Sequence, residues 1–220
     1  KNISNWQKYK NSRRHQYKGK IFIDSGAFSV HTKGIELDVD AYIDYINSID
    51  DDVCLFAQAD KIPGEFGKIK TRTQISEAPK LSWENYIYMK DRIKSRDKLI
   101  PIFHQGEDFK WLKNMLEYTH EDGTHIRYIG ISPANDKHTN EKEVFIRECF
   151  EIIKNSSNPN VCTHAFGMTS LKVLERYPFT SADSTSWLMT GANGNIITPY
   201  GLICISDKSR SDFKNIFSMN

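Results

Sequence analysis

With 220 residues, 39% hydrophobic and 26% charged, the chain can bury one full core, and a single domain over residues 1–220 is the simplest partition. No apolar run approaches the roughly 20 residues a membrane span needs, and no basic-then-apolar signal segment is visible, so no membrane association and a cytoplasmic location are expected. The net charge of +2 conceals an uneven layout. Residues 1–20 carry Lys1, Lys8, Lys10, Arg13, Arg14, Lys18 and Lys20 without an acid, interleaved with Trp6, Tyr9, His15 and Tyr17. Such a basic leader suits a polyanion with stackable bases, or equally a solvated amphipathic segment. The stretch 36–52 is the reverse, with Glu36, Asp38, Asp40, Asp44, Asp50, Asp51 and Asp52 and no Lys or Arg, and should face away from any phosphate backbone. Cys54, Cys149, Cys162 and Cys204 are scattered, which argues for buried apolar thiols rather than a disulfide framework or a zinc ribbon.

In chain order, Ile21 to Val30 (IFIDSGAFSV) runs apolar β-formers into an acid and a small-residue turn. Asp38 caps a helix whose apolar face is Val39, Tyr42, Ile43 and Ile46. A second strand, Val53 to Ala59, ends at Asp60. A Gly/Pro/Lys-rich loop follows, then a helix from Pro79 to Lys98. Leu99 to His104 is the third strand, and Phe109 to Tyr118 a helix with Leu112, Met115 and Leu116 inward. Ile126 to Ile131 is the fourth strand, Asn140 to Lys154 a helix, and Val161 to Phe166 the fifth strand. Thr169 caps a short helix, Phe179 to Ala182 is the sixth strand, and Ile196 to Ile205 a strand or hairpin.

Strands that are apolar on both faces and alternate with helices imply a parallel sheet covered by helices. A compact TIM-type (β/α)8 barrel is the first expectation. The strand candidates fall one short of eight, so an N-terminal strand is either missing from this segment or hidden within the leader. A doubly wound open sheet is the alternative, but no G-x-G-x-x-G turn follows a strand.

The strand ends deliver Asp24, Asp60, His104 with Gln105, Gly130 with Ser132, His164 with Gly167, and Asp183. In a barrel these would converge on one mouth. Carboxylates facing one another across a pocket can divide the work of glycosyl transfer: an ionised one attacks the anomeric carbon while a protonated one assists departure of the leaving group. No metal is needed for that.

Six ordered motifs carry a family resemblance. IDSGAF is similar to D-S-G-G-F, with Ala27 in place of the second glycine. FAQADKIP, IFHQG, YIGIS, HAFGM and SADST follow in the order of the corresponding motifs of the queuine/archaeosine-type guanine transglycosylases. The chain resembles most the short phage and bacterial members that act on DNA. That resemblance implies that Asp183 attacks C1′ of the target nucleoside and holds the sugar covalently. Asp24 would then handle protons at the departing and entering bases. Asp60 and Gln105 would bond the purine edge, the Gly130 backbone would reach its carbonyl oxygen, Phe28 and Phe166 would sandwich the ring, and Gly167 would line the site. Lys68, Lys70 and Arg72, in the loop after Asp60, suit phosphate contacts or equally an ordinary solvated basic turn, and the partners that the resemblance implies are nucleic acid and a free 7-deazaguanine base. The C-x-C-x-x-C…H zinc site of the tRNA enzymes has no counterpart in spacing, so no cofactor or metal is expected and DNA is favoured over tRNA. A binding-only barrel and a hydrolase that releases the sugar to water are the readings of other classes.

Overall fold

A computed structural model of the protein describes residues 21–50, 53–134, 137–198 and 201–204. The basic leader 1–20, Asp51, Asp52 and Ile205 lie outside the described residues. In chain order the elements are β1 (Phe22–Ile23), α1 (Ala27–His31), α2 (Val39–Ile49), β2 (Leu55–Ala57), α3 (Arg72–Lys90), β3 (Leu99–Ile100), β4 (Ile102–His104), α4 (Lys110–Glu117), β5 (Tyr128–Ser132), α5 (Thr139–Lys154), β6 (Cys162–Ala165), α6 (Leu171–Arg176), β7 (Ser181–Ala182), α7 (Ser186–Ala192), β8 (Asn195–Thr198) and β9 (Gly201–Cys204).

The helices form where periodicity and caps agree. Asp38 accepts the Ala41 N–H at 2.9 Å and starts α2, which buries Tyr42, Ile43, Ile46 and Ile49. Leu112, Met115 and Leu116 of α4 and Phe145, Ile146, Cys149 and Ile153 of α5 turn inward at the same spacing. Leu112 and Leu116 are fully buried, each contributing roughly 1.5–3 kcal/mol by leaving water.

Three expected boundaries are corrected. The helix placed at Pro79 to Lys98 runs instead from Arg72 to Lys90, because Thr71 and Gln74 make a reciprocal capping box that starts it before the proline. Pro79 is carried inside that helix. Thr169 does not cap α6; its hydroxyl meets the Ser186 hydroxyl at 3.2 Å, and Ser170 takes the cap position. The sixth strand shrinks to Ser181–Ala182, since Phe179 packs edge-on against Phe150 at 4.9 Å instead of extending the ladder.

The run Leu99–His104 is also divided. Pro101 has no N–H to donate, so β3 pairs with β2 and β4 pairs with β5. Its carbonyl still accepts the Gly130 N–H at 2.8 Å. The result is a parallel three-stranded sheet β1-β2-β3, a parallel four-stranded sheet β4-β5-β6-β7 and an antiparallel hairpin β8-β9. Neighbours in the parallel sheets are consecutive in sequence, without the order reversal of a doubly wound fold. The strand series also curls. In a flat sheet β1 and β6 would stand roughly 19 Å apart at the usual interstrand spacing, yet the Phe22 and His164 ring centroids are 4.7 Å apart.

Candidate active site

Asp24, Asp60 and Asp183 follow the C-terminal ends of β1, β2 and β7, His104 closes β4 and His164 is the last residue but one of β6, and parallel pairing sends those ends the same way. Asp24 feels the charges of both Asp60 and Asp183, so the three carboxylates lie within electrostatic reach of one another. Behind them, the Tyr42 hydroxyl is buried and donates to the Ala57 carbonyl at 2.9 Å.

The Asp183 side is built by strand alternation. His164 is 3% exposed on β6, in register with Gly130 on one side and Ser181 on the other. Its Nδ1 lies 2.7 Å from Ser181 Oγ, which lies 2.6 Å from the Tyr128 hydroxyl. Its Nε2 points to Asp183 Oδ1 at 3.6 Å and has no hydrogen-bond partner among the described residues. Asp183 Oδ1 also accepts the Gly167 N–H at 2.8 Å. Gly167 reaches that position at φ 63°, a left-handed conformation that favours glycine. The Asp183 carboxyl is held below its ordinary range, by His164 first and by the Gly167 N–H, against the opposing effect of desolvation. Half of the side chain, 52%, stays open to the mouth.

Asp24 moves the other way. The side chain reaches solvent, but its carboxyl stands among protein groups, and desolvation raises its pKa first. The charges of Asp60 and then Asp183 raise it further, while the Ser25 and Gly26 backbone N–H groups oppose them.

The Asp60 side is more crowded. Oδ1 accepts from the fully buried Gln58 amide at 2.7 Å, and Oδ2 lies 3.2 Å from His104 Nε2 in an ion-pair contact. Burial pulls the His104 imidazole down, but the charge and hydrogen bond of Asp60, then Glu107 and Asp24, outweigh it and lift it to about 9. Glu107, whose carboxylate accepts the His104 backbone N–H at 3.2 Å, is pushed up by burial to about 7 despite the attraction of His104.

The remaining expected site residues divide. Phe166 packs against His164 at 4.5 Å and Phe22 at 5.6 Å, with its ring over Gly130, where a Cβ would stand 2.5 Å from Phe166 Cε2. Glycine at 130 therefore makes room for that ring. The Gly130 N–H is engaged by Pro101 and is not offered to a ligand. Gln105 is likewise engaged: its amide donates to the Glu141 carbonyl at 3.2 Å and accepts from the Ala134 N–H at 3.0 Å, so it ties the loop after β5. Phe28 projects from α1, 63% exposed. Lys68, Lys70 and Arg72 are exposed, Lys68 paired with Glu65 at 2.5 Å. They interleave with exposed Phe66 and Ile69.

A cavity of about 370 Å³ opens beside Asp60, between the segment from Ala27 to Leu37 and the loop from Lys61 to Phe66. The Lys61–Glu36 ion pair, 2.7 Å long, bridges its two sides.

Sequence reasoning missed Tyr128, Ser181, Gln58 and Glu107. Ser181 was legible, because a residue two before a strand-end acid faces the same way along a strand. Glu107 was not, since only the turn Gln105-Gly106-Glu107 brings it back under His104. Among the described residues no group of three or more His, Cys, Asp or Glu side chains is arranged to hold a metal ion, and no helix is long and apolar enough to cross a membrane. No protein-family model, curated protein or solved structure matches the chain.

Proposed function

We propose that the protein is a guanine transglycosylase that exchanges guanine in nucleic acid, DNA in the first place, for a 7-deazaguanine derivative through a covalent glycosyl-aspartate. The observation that carries this is the placement of Asp24, Asp60 and Asp183 just beyond the ends of parallel strands, with Asp183 Oδ1 held by the Gly167 N–H at 2.8 Å and faced by His164 at 3.6 Å; the surroundings displace Asp183 downward and Asp24 upward. Such a pair assigns an ionised nucleophile and a proton-handling acid without further machinery. The in-order parallel strands and the contact of β1 with β6 support a (β/α) barrel as the frame.

In the first half-reaction Asp183 forms a bond to C1′ as the glycosidic bond breaks. The electron pair leaves with guanine, which takes a proton from Asp24. The entering base then gives its proton to Asp24 as it displaces the aspartate. Phe28 and Phe166 supply flat apolar faces for the ring, and Asp60 supplies an acceptor edge. The target nucleotide must leave its stack to reach the mouth, and exposed Lys68, Lys70, Phe66 and Ile69 suit the displaced strand.

The test is incubation with labelled guanine or a 7-deazaguanine and either duplex DNA or tRNA, followed by digestion and mass spectrometry of the nucleosides. Incorporation into DNA is the expected result. Incorporation into tRNA alone would move the substrate, and incorporation into neither would overturn the proposal.

A further inference from the structure

We propose that His164 is the positioning residue of the attacking carboxylate, held with its proton on Nε2 by a hydrogen-bond chain that begins at Tyr128. The inference rests on Asp183 being the nucleophile of the proposed exchange, and its geometry stands apart from that chemistry.

The direction of the chain follows from its ends. A carboxylate can only accept: Asp183 Oδ1 takes the Gly167 N–H, and the buried His164 Nε2 that also faces it has no hydrogen-bond partner among the described residues. The imidazole proton therefore belongs on Nε2, which leaves Nδ1 an acceptor. Ser181 then donates to Nδ1 at 2.7 Å, and its oxygen, having given its hydrogen away, accepts from the Tyr128 hydroxyl at 2.6 Å. Tyr128, Ser181 and His164 all donate toward Asp183. Packing fixes the ring as well: Phe22 lies against it at 4.7 Å and Phe166 edge-on at 4.5 Å.

At 3.6 Å the last link is longer than a hydrogen bond, and the proposed role requires it to tighten when the sugar occupies the mouth. The consequence is a division between the two carboxylate oxygens. Oδ1 is held by Gly167 and faced by His164, whereas Oδ2 has no hydrogen bond among the described residues and is free to attack. When Oδ2 bonds C1′ the negative charge leaves the aspartate and the electron pair of the glycosidic bond leaves with the purine, protonated by Asp24. No proton travels along the chain, so His164 is not a general base.

The experiment reads the tautomer directly, by nitrogen NMR of histidine-labelled protein without substrate. A single Nε2–H tautomer for His164 is expected, lost in Ser181→Ala. An Nδ1–H tautomer, or an Nε2–H tautomer unchanged in Ser181→Ala, would overturn the inference. In the exchange assay Ser181→Ala and Tyr128→Phe should lower kcat roughly 10- to 100-fold with KM for the free base unchanged, the scale of a hydrogen bond to a charged group. His164→Gln, which keeps an N–H donor, should retain more activity than His164→Leu. Equal losses in those two folded variants would also overturn it. Failure of the wild-type protein to exchange bases overturns the transglycosylase proposal alone, because the tautomer is read on the resting protein.

Discussion

Two carboxylate–imidazole pairs flank the mouth, and they are built to opposite ends. At Asp60 the imidazole is close, 3.2 Å, both carboxylate oxygens are engaged, and the perturbation falls on His104, lifted to about 9. At Asp183 the imidazole is buried and stands back at 3.6 Å, one carboxylate oxygen has no hydrogen bond among the described residues, and the perturbation falls on the acid, lowered. The same two residue types thus give a closed, charge-storing pair on one side and an open, reactive one on the other. What differs is the surroundings: two donors on two oxygens against two groups aimed at a single oxygen.

The comparison breaks most visibly at Asp183. Asp183→Ala should lower exchange by roughly 10⁴-fold or more while binding of the free base is nearly kept, as measured by turnover and by calorimetry. A variant turning over normally would transfer the nucleophile elsewhere. Next in size, Asp24→Asn should cost roughly 10²- to 10⁴-fold, the range of a lost general acid. The wild-type pH–rate profile should have an acid limb below the usual carboxylate range, where Asp183 gains its proton, and an alkaline limb above it, where Asp24 loses its own. Asp24→Asn should abolish the alkaline limb and leave the acid one.

Gly130→Ala sharpens the Asp183 side by packing alone. The added methyl meets Phe166 Cε2 at 2.5 Å and Ile102 Cγ1 at 3.1 Å, so a loss of about 1–3 kcal/mol in denaturant unfolding is expected, with displacement of the ring that braces His164. The smallest effect is on the Asp60 side and concerns pH. Both His104 and Glu107 have folded pKa values above their ordinary ones, so each stabilises the fold at low pH and loses that contribution as pH rises. The Glu107 contribution is complete below 4.5 and lost through about 7. The His104 contribution is complete below 6.5 and lost through about 9. Denaturation midpoints should fall in two steps, of which Glu107→Gln removes the lower and His104→Asn the upper.

Much of this was legible in the sequence. Apolar runs ending in Asp24, Asp60, His104 and Asp183 marked strand ends, and the spacings of α2, α4 and α5 were read to within a residue or two. What failed did so for local reasons. Pro79 looked like a helix start because the Thr71–Gln74 capping box lay inside an apparent loop. Gln105 looked free because the backbone and carbonyl it holds, at Ala134 and Glu141, are distant in sequence. The hydroxyls of Ser181 and Tyr128 become meaningful only when register sets β5, β6 and β7 side by side.

Pro101 has a mechanical consequence. Asp24 and Asp60 belong to the sheet β1-β2-β3, and His164 and Asp183 to β4-β5-β6-β7, with the proline at the seam. The proposed acid and the proposed nucleophile therefore stand on two ladders that share the continuous run Leu99–His104, tied across it by the Gly130 N–H on the Pro101 carbonyl and brought together again where Phe22 meets His164. A substitution in the core beneath Pro101 could then detune the reaction without touching a single group in the mouth.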